Sequence, residues 1–202
     1  MPEFFMTIQT VASRKQCLED TLKSLAETDW SISPVIVEDT ANLPNKEASQ
    51  GVTGGKVLST ALAVPGWDYL LACEDDVIFN KNLRHNLTEW APVKHGICLV
   101  GTLYHGGEVY SDTAKGYGMA PCGLIAGSQG VVIRRDWAEE LLRRWGALKR
   151  HGMTDLRFFR SLDAVFPFVF VHNPNLVQHK TEPSIWGGPK HTTSNFSPDY
   201  KS

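Results

Sequence analysis

The chain has 202 residues, of which 42% are hydrophobic and 21% are charged, and its formal net charge at pH 7 is −2. These values suit one globular domain with a substantial core and exclude a disordered or fibrous chain. A charge so close to zero gives no overall attraction to nucleic acid or to a membrane surface, and no segment has the roughly 20 apolar residues of a membrane-spanning helix.

The N-terminus and the cysteines favour a cytoplasmic protein. Residues 1–10 have neither the basic start nor the long apolar stretch of a signal peptide. The four cysteines lie far apart in the sequence and form no CxxC pair, so we expect reduced thiols and no zinc cluster. Cys73 and Cys98 lie within apolar runs, and we expect both in the core.

The first forty residues predict a βαβ unit. Residues 4–10 are apolar with a β-branched end, which indicates a strand, and leucines at helical spacing predict a helix over 16–27. Residues 35–37 predict a short buried strand, which is followed by Glu38 and Asp39. A strand, a helix and a strand at this spacing imply two parallel strands joined by a right-handed crossover.

The most informative stretch is an apolar run over 69–73 that is followed at once by Glu74, Asp75 and Asp76. A run of this length predicts a strand buried on both faces of a sheet. Charged residues are rarely buried without a partner, and ligands of open α/β sheets bind at the carboxyl ends of the strands. The three acids therefore indicate a site for a hard cation such as Mn2+ or Mg2+, or else the opening of a loop or a helix cap.

The remaining predicted elements alternate between helices and strands around one long loop. We predict a polar loop over 40–55, helices over 56–64, 82–90, 135–149 and 154–164, and strands over 97–103, 130–133, 166–171 and 176–179. Residues 104–130 are rich in glycine and small side chains, which predicts a long functional loop region. Since the sequence has no repeat or linker, we expect one domain over 1–180 and a C-terminal flap or partly disordered tail over 181–202.

Two glycine-containing segments do not meet the requirements of phosphate-binding motifs. Residues 51–56, GVTGGK, are one residue short of a phosphate loop, and Val57 stands where Ser or Thr should hold Mg2+. Gly116 and Gly118 lack the third glycine of a dinucleotide fingerprint. The sequence also has no GxSxG elbow, so a hydrolase triad has no support.

An acidic triplet after a central strand, a glycine-rich segment, an acid at a helix start and a late histidine follow one another in this order. This order resembles that of nucleotide-sugar glycosyltransferases of the GT-A fold. The resemblance covers roughly residues 4–187, and the run QHKTEPSIWG is similar to the ending of N-acetylglucosaminyltransferase-like members that carry an EDD motif. It implies a single GT-A-like (Rossmann-like) α/β domain with a mostly parallel central sheet, flanking helices and a long glycine-rich loop region.

The same resemblance implies an activity and a set of functional residues. The chain would move a sugar from a nucleotide-diphosphate sugar, with a UDP-sugar as the expected donor, to an acceptor hydroxyl, with Mn2+ or Mg2+ as cofactor. Asp76 and His179 would be the direct metal ligands, and Asp155 would be the catalytic base of an inverting reaction. The residues expected to bind the donor are Thr10, Arg14, Glu38, Asp39, Glu74, Asp75, Lys180 and Trp186. The acceptor-side loop would consist of Gly127, Ser128, Gln129 and Gly130.

The acceptor is left open by the sequence. Eight basic residues crowd the region 134–160, and they indicate either a solvated helix face with salt bridges to Glu139 and Glu140 or a track for a polyanion such as nucleic acid. These residues are Arg134, Arg135, Arg143, Arg144, Lys149, Arg150, Arg157 and Arg160. The compact size suits a phage-type enzyme that glycosylates hydroxymethylated DNA bases, while saccharide, lipid-linked sugar and protein acceptors also stay open.

Two other classes of function fit parts of the pattern. A non-catalytic sugar- or nucleotide-binding module of the same fold would need no catalytic base. A nucleotidyltransferase also uses strand-end carboxylates with Mg2+, but it usually has a glycine- and lysine-rich loop after the first strand, and residues 10–15 contain no glycine. For a glycosyltransferase, Asp163 is a rival to Asp155 on the same predicted helix, and retention is possible if Asp155 only orients the acceptor.

Overall fold

The fold is built on one large sheet with helices on both of its faces. The computed structural model describes residues 1–41, 43, 45–106, 110–112, 116–180 and 192–202. The strands are β1 (Phe4–Thr10), β2 (Val35–Glu38), β3 (Tyr69–Glu74), β4 (Val77–Phe79), β5 (Val100–Thr102), β6 (Tyr110–Asp112), β7 (Tyr117–Pro121), β8 (Val131–Arg134), β9 (Phe168–His172) and β10 (Val177–His179). The helices are α1 (Lys15–Ala26), α2 (Lys46–Leu62), α3 (Leu83–Glu89), α4 (Ala91–Lys94), α5 (Arg135–Arg144) and α6 (Thr154–Arg160).

The order of the strands confirms the predicted α/β class. Eight strands of the described residues form one sheet in the order β2-β1-β3-β8-β5-β9-β7-β6. β1 pairs in parallel with both β2 and β3, and β5 pairs in parallel with β9. Only β8 and β7 run against the other six, as their antiparallel pairings show. The central sheet is therefore mostly parallel in strand direction.

Strand β3 lies between two hydrophobic cores, one on each face of the sheet. Its side chains alternate between the two faces, so Leu70 and Ala72 join one core and Leu71 and Cys73 join the other. Side chains of α2, α5 and α6 fill the first core, and side chains of α1 and α3 fill the second. Burial on both faces explains why 69–73 contains no charged residue, and it confirms the core position predicted for Cys73 and, in the same layer, for Cys98.

The topology brings several distant segments to one edge of the sheet. Because β1 leads to β2 on one side and β3 pairs on its other side, the carboxyl ends of β1 and β3 flank a topological switch point. β8 runs antiparallel to β3, with Val131 opposite Ala72, so the segment that precedes β8 also lies at this edge. A separate ribbon of β4 and β10 pairs Val77 with His179, which brings the late histidine beside the acidic triplet.

Helix α2 is the largest difference from the predicted elements. The predicted loop over 40–55 is wrong for its second half, because α2 begins at Lys46, after Asn45 caps it by accepting the N–H of Ala48. Glycine usually weakens a helix, but here it permits close packing. A Cβ on Gly54 would lie 2.7 Å from the ring of Trp145, whose indole N–H donates to the carbonyl of Gly51 at 2.7 Å. The segment GVTGGK is thus part of a packed helix.

Smaller differences concern the ends of elements. The helix predicted over 135–149 ends at Arg144 and is followed by a 3-10 turn over Ala147–His151. The strand predicted over 97–103 is reduced to β5, and the long loop region over 104–130 contains β6 and β7. Among the described helices, none has the length and apolar composition needed to cross a bilayer.

The last described segment, 192–202, lies against the β4–β10 ribbon. The side chain of Gln178 donates to the carbonyl of Thr193 at 2.8 Å and accepts its N–H at 3.1 Å. The side chain of Asn80 donates to the carbonyls of Ser197 and Tyr200 at 2.7 and 3.0 Å. The segment therefore binds to β10 and to the residues before α3. The rest of the flap or tail expected over 181–202, residues 181–191, lies outside the described residues.

Candidate functional site

A cavity of about 620 Å³ opens at the carboxyl ends of β1 and β3. Its volume is within the range of small-molecule sites. The predicted site residues that line it are Thr10, Arg14, Asp39, Glu74, Asp75, Asp76, Gly127, Ser128, Gln129, Asp155 and His179. The structure thus brings together eleven of the residues that the sequence analysis selected from seven separate segments.

Asp75 is held by the end of β1 and by the turn that follows it. The hydroxyl of Thr10 donates to Oδ2 of Asp75 at 2.5 Å, and Nε of Arg14 lies 2.9 Å from Oδ1. Both oxygens of this carboxylate are therefore engaged by the protein. Burial raises the pKa of Asp75 above its ordinary value, although the hydrogen bond from Thr10 and the charge of Arg14 oppose the shift.

Asp76 shares one carboxylate oxygen between Arg14 and His179, while its other oxygen has no partner among the described residues. Nη2 of Arg14 lies 2.5 Å from Oδ2, and Nε2 of His179 donates to the same oxygen at 3.2 Å. Burial favours the neutral acid, but His179 and Arg14 outweigh it and lower the pKa of Asp76. The hydrogen bond to Asp76 in turn raises the pKa of His179. Oδ1 of Asp76 is buried and has no hydrogen-bond partner among the described residues.

Glu74 lies between the acidic end of β3 and the glycine-rich segment. Ser128 donates its hydroxyl to Oε1 at 2.5 Å, and the amide of Gln129 donates to Oε2 at 3.2 Å. Gln9 on β1 supports the arrangement, because its amide donates to the hydroxyl of Ser128 at 3.2 Å. Burial, together with the nearby charge of Asp76, raises the pKa of Glu74 to about 7.

Asp155 at the start of α6 also lines this cavity. Its Oδ2 accepts the backbone N–H of Gly127 at 2.6 Å, while its Oδ1 is buried without a partner among the described residues. Gly127 has φ +95°, and a Cβ there would lie within 3.4 Å of the side-chain amide of Gln129. A glycine is required at this position because both the backbone conformation and the lack of space exclude a side chain.

Three of the predicted residues that the structure describes do not line the cavity. Glu38 is exposed at the end of β2, while the next residue, Asp39, does line the cavity. The ammonium of Lys180 donates to the carbonyl of Cys17 and the hydroxyl of Thr21, at 3.3 and 3.2 Å, on α1. Gly130 is the fourth residue of its segment and faces Val177. Trp186 lies outside the described residues.

The structure adds residues that the sequence analysis did not select. They are Gln9, Val11, Gln50, Thr53, Tyr104, His105, Gly106, Leu124, Ala126 and Met153. Two of these could have been selected from the sequence. Gln9 is a polar residue inside an apolar strand, and Tyr104 follows the carboxyl end of a strand, where ligands bind. Gln50 and Thr53 could not, since they lie on the part of α2 that was predicted as loop.

The acids and the histidine are side-chain types that can bind a divalent cation, but they offer few ligands to it. Among the described residues, no group of three His, Cys, Asp or Glu side chains is arranged to hold a metal ion. The buried, unpartnered Oδ1 of Asp76 and the neighbouring His179 are the groups suited to such an ion. Mg2+ sites can use one or two protein carboxylates and leave the other positions to water and substrate phosphates, and Asp76 could supply such a carboxylate.

The basic region and the rival acid lie outside the cavity. Arg134 forms an ion pair with Asp136 at 2.7 Å, Arg143 with Glu140 at 2.6 Å, and Arg160 with Asp163 at 3.4 Å. Arg157 is buried, with its guanidinium 5.2 Å from the ring centre of Trp145. These contacts agree with the expectation of a helix surface bearing salt bridges.

Comparison with solved structures gives the fold a wider context. The chain is similar to the crystal structure of A197 from STIV, with 17% identity, a TM-score of 0.55, and 89% of this chain and 86% of that chain covered. It is also similar to the crystal structure of a glycosyltransferase involved in the glycosylation of the major capsid of PBCV-1, with 14% identity, a TM-score of 0.53, and 84% and 82% covered. No protein-family model and no curated protein sequence matches the chain. These structural likenesses support the Rossmann-like, GT-A type of α/β fold.

Proposed function

We propose that the chain is a glycosyltransferase that moves a sugar from a nucleotide-diphosphate sugar, with UDP as the expected nucleotide, to an acceptor hydroxyl. One observation carries the proposal. Three strand-end acids, a histidine on a separate ribbon and an acid at a helix start meet in one cavity at the switch point of a GT-A-like sheet. The glycosyltransferase among the similar structures supports the same class of reaction.

The donor half of the cavity would be built by β1, β2 and the acidic triplet. Asp39 is held by the hydroxyl of Ser49 at 2.8 Å and by the N–H of Ala41 at 3.0 Å, so it is rigid enough to contact the base or ribose. Glu74 and Asp75 would contact ribose or sugar hydroxyls. Asp76 and His179 would hold Mn2+ or Mg2+, which when bound stabilises the negative charge that develops on the leaving diphosphate.

In the transfer itself, the bond between the anomeric carbon and the diphosphate oxygen breaks, and its electron pair leaves with the diphosphate. The acceptor oxygen forms the new bond to an oxocarbenium-like carbon and loses its proton. Asp155 would take that proton, because Gly127 occupies its Oδ2 and leaves Oδ1 with capacity to accept one. Attack from the side opposite the leaving group predicts inversion.

The charges around the cavity favour a neutral acceptor such as a saccharide. Five carboxylates line it, and among the described lining residues only Arg14 carries a permanent positive charge. Arg134 of the basic region lies opposite Tyr69, at the amino end of β3, whereas the cavity lies at the carboxyl end. A hydroxymethylated DNA base stays the alternative. Absence of sugar transfer to hydroxymethylated DNA would rule that alternative out, and transfer that is unchanged after charge reversal of Arg143, Arg144 and Arg150 would show that the basic region does not bind the DNA.

The donor assignment is tested by thermal shift with Mn2+ and a panel of nucleotide sugars. A ligand at a hundredfold excess over its dissociation constant stabilises the folded chain by about 2.7 kcal/mol. We expect a metal-dependent shift with a UDP-sugar that is lost in Asp76→Ala and kept in Asp163→Ala, an equal charge change outside the cavity. No shift with any nucleotide sugar contradicts the proposal, and a shift without sugar transfer to any acceptor indicates a binding module instead.

A further inference from the structure

A single guanidinium ties together the acids of the candidate site. Arg14 ends the 3-10 turn Ala12–Arg14 that follows β1, and its side chain is only 10% exposed. Its Nε contacts Asp75 at 2.9 Å and its Nη2 contacts Asp76 at 2.5 Å. Both carboxylates belong to the end of β3, so Arg14 bridges two strands at the point where the proposed donor diphosphate would bind.

We infer that Arg14 is an exchangeable internal cation, which neutralises Asp75 and Asp76 in the empty site and releases them when a diphosphate binds. Divalent metal ions and nucleoside diphosphates would then bind cooperatively, and the empty protein would hold the metal weakly. This inference rests on the proposed function, because it takes the diphosphate of the donor as the group that attracts Arg14 away.

The first step is the exclusion of the metal from the empty site. Oδ2 of Asp76 already accepts hydrogen bonds from Arg14 and from Nε2 of His179. Oδ1 of Asp76 has no partner among the described residues and could still bind a metal ion, but Nε2 of His179 cannot bind one while it donates to Oδ2. A metal ion would also approach the fixed positive charge of Arg14 at close range in a poorly solvated cavity, where repulsion between like charges is strong.

The second step is the exchange. A guanidinium binds phosphate oxygens with the same forked geometry that it uses for carboxylates. Arg14 lines the cavity, so an incoming diphosphate can compete for its N–H groups. Once Arg14 turns to the phosphates, Asp76 loses its counter-ion, and a divalent cation between Asp76 and the diphosphate restores the balance of charge.

The consequence is a linkage between two ligands. If the diphosphate raises the affinity for the metal by some factor, the metal must raise the affinity for the diphosphate by the same factor. Part of this factor comes from direct metal–phosphate contact and does not depend on Arg14. The remaining part comes from the release of Arg14, and it disappears when the guanidinium is removed.

The experiment measures free Mn2+ by electron paramagnetic resonance during titration of the whole chain, with and without UDP. For Arg14→Gln, we expect Mn2+ alone to bind about tenfold more tightly than to the wild type, within the range of typical coupling factors. We expect the increase of Mn2+ affinity caused by UDP to shrink by the same factor. Arg143→Gln removes an equal charge from an exposed ion pair on α5 and should match the wild type.

Equal affinity of the wild type and Arg14→Gln for Mn2+ alone would overturn the inference. Circular dichroism verifies that the variant is folded, and Arg14→Lys serves if it is not. A lysine keeps the charge but has no forked pair of donors, so its Mn2+ affinity should lie between the other two. If neither UDP nor any other nucleoside diphosphate changes the Mn2+ curves, the proposed function fails, while the comparison with Mn2+ alone still decides whether Arg14 excludes the cation.

Discussion

Replacement of Glu74 by glutamine should make the protein more stable at high pH and less stable at low pH. Glu74 is partly buried among polar side chains, and its pKa in the folded protein is about 7, against an ordinary value of 4.5. The folded state therefore binds this proton more tightly than the unfolded state does. The stability that the neutral acid contributes is complete below pH 4.5 and is lost as the pH rises through about 7.

The size of the effect follows from two opposing contributions. At about 1.36 kcal/mol per pKa unit, the shift makes the ionised Glu74 cost about 3 kcal/mol above pH 7. Glutamine removes that cost, but its NH2 group cannot accept from Ser128 or Gln129, and one lost hydrogen bond costs about 1 kcal/mol. Glu74→Gln should thus stabilise the chain by about 2 kcal/mol at pH 8 and destabilise it by about 1 kcal/mol near pH 4.5.

Urea denaturation at several pH values measures this difference directly. Glu139→Gln provides the matched control, because Glu139 lies on the exposed face of α5 with a side chain 61% exposed. Its difference from the wild type should stay nearly constant with pH. A constant difference for Glu74→Gln as well would refute the argument that the carboxyl of Glu74 binds a proton more tightly in the folded protein.

Three further substitutions test other features of the structure. Asp155→Asn should reduce the rate of sugar transfer by about 10²–10⁴-fold, as expected for loss of a general base, while the thermal shift with donor is kept. Asp163→Asn should leave the rate unchanged. If the rate falls in Asp163→Asn alone, Asp163 and not Asp155 is the base. Gly54→Val should lower the free energy of unfolding by about 1–3 kcal/mol, because its Cβ would approach the ring of Trp145 to 2.7 Å, and an unchanged urea midpoint would contradict this packing. His172 is buried and its pKa is lowered to about 4, so the wild type loses stability as the pH falls from 6.5 to 4. His172→Phe should remove this loss. If the urea midpoint of the variant still falls with pH as steeply as that of the wild type, another group is responsible.

The sequence was sufficient where a local pattern has one structural solution. The apolar run over 69–73 could only be a strand covered on both faces, and β3 lies there. The acids that follow it had to lie at a strand end, and the lining of the cavity confirms their common location. The pairing of His179 beside Asp76 followed from the resemblance, and the β4–β10 ribbon gives its physical basis.

The rest depended on contacts between segments that the sequence does not connect. Helix α2 was missed in its first half because its glycines argue against a helix. The side chains of Trp145, Thr154 and Arg157, which pack against these glycines, explain the exception. Arg14 was selected as a donor contact, yet its contact with Asp75 and Asp76 arises from the parallel pairing of β1 with β3, about sixty residues away. Ser128 and Gln129 were assigned to the acceptor side, which stays a prediction, and their hydrogen bonds to Glu74 were not foreseen.

The fastening of the C-terminal segment has a practical consequence. Thr193 forms two hydrogen bonds with Gln178, the residue next to His179. Ser197 accepts a hydrogen bond from Asn80, which follows β4, the strand paired with β10. The final eleven residues therefore stabilise the β4–β10 ribbon, which positions His179. Shortening the chain before Thr193 would loosen the cavity from a distance, and an inactive truncated protein should not be taken as proof that the removed residues touch the substrate.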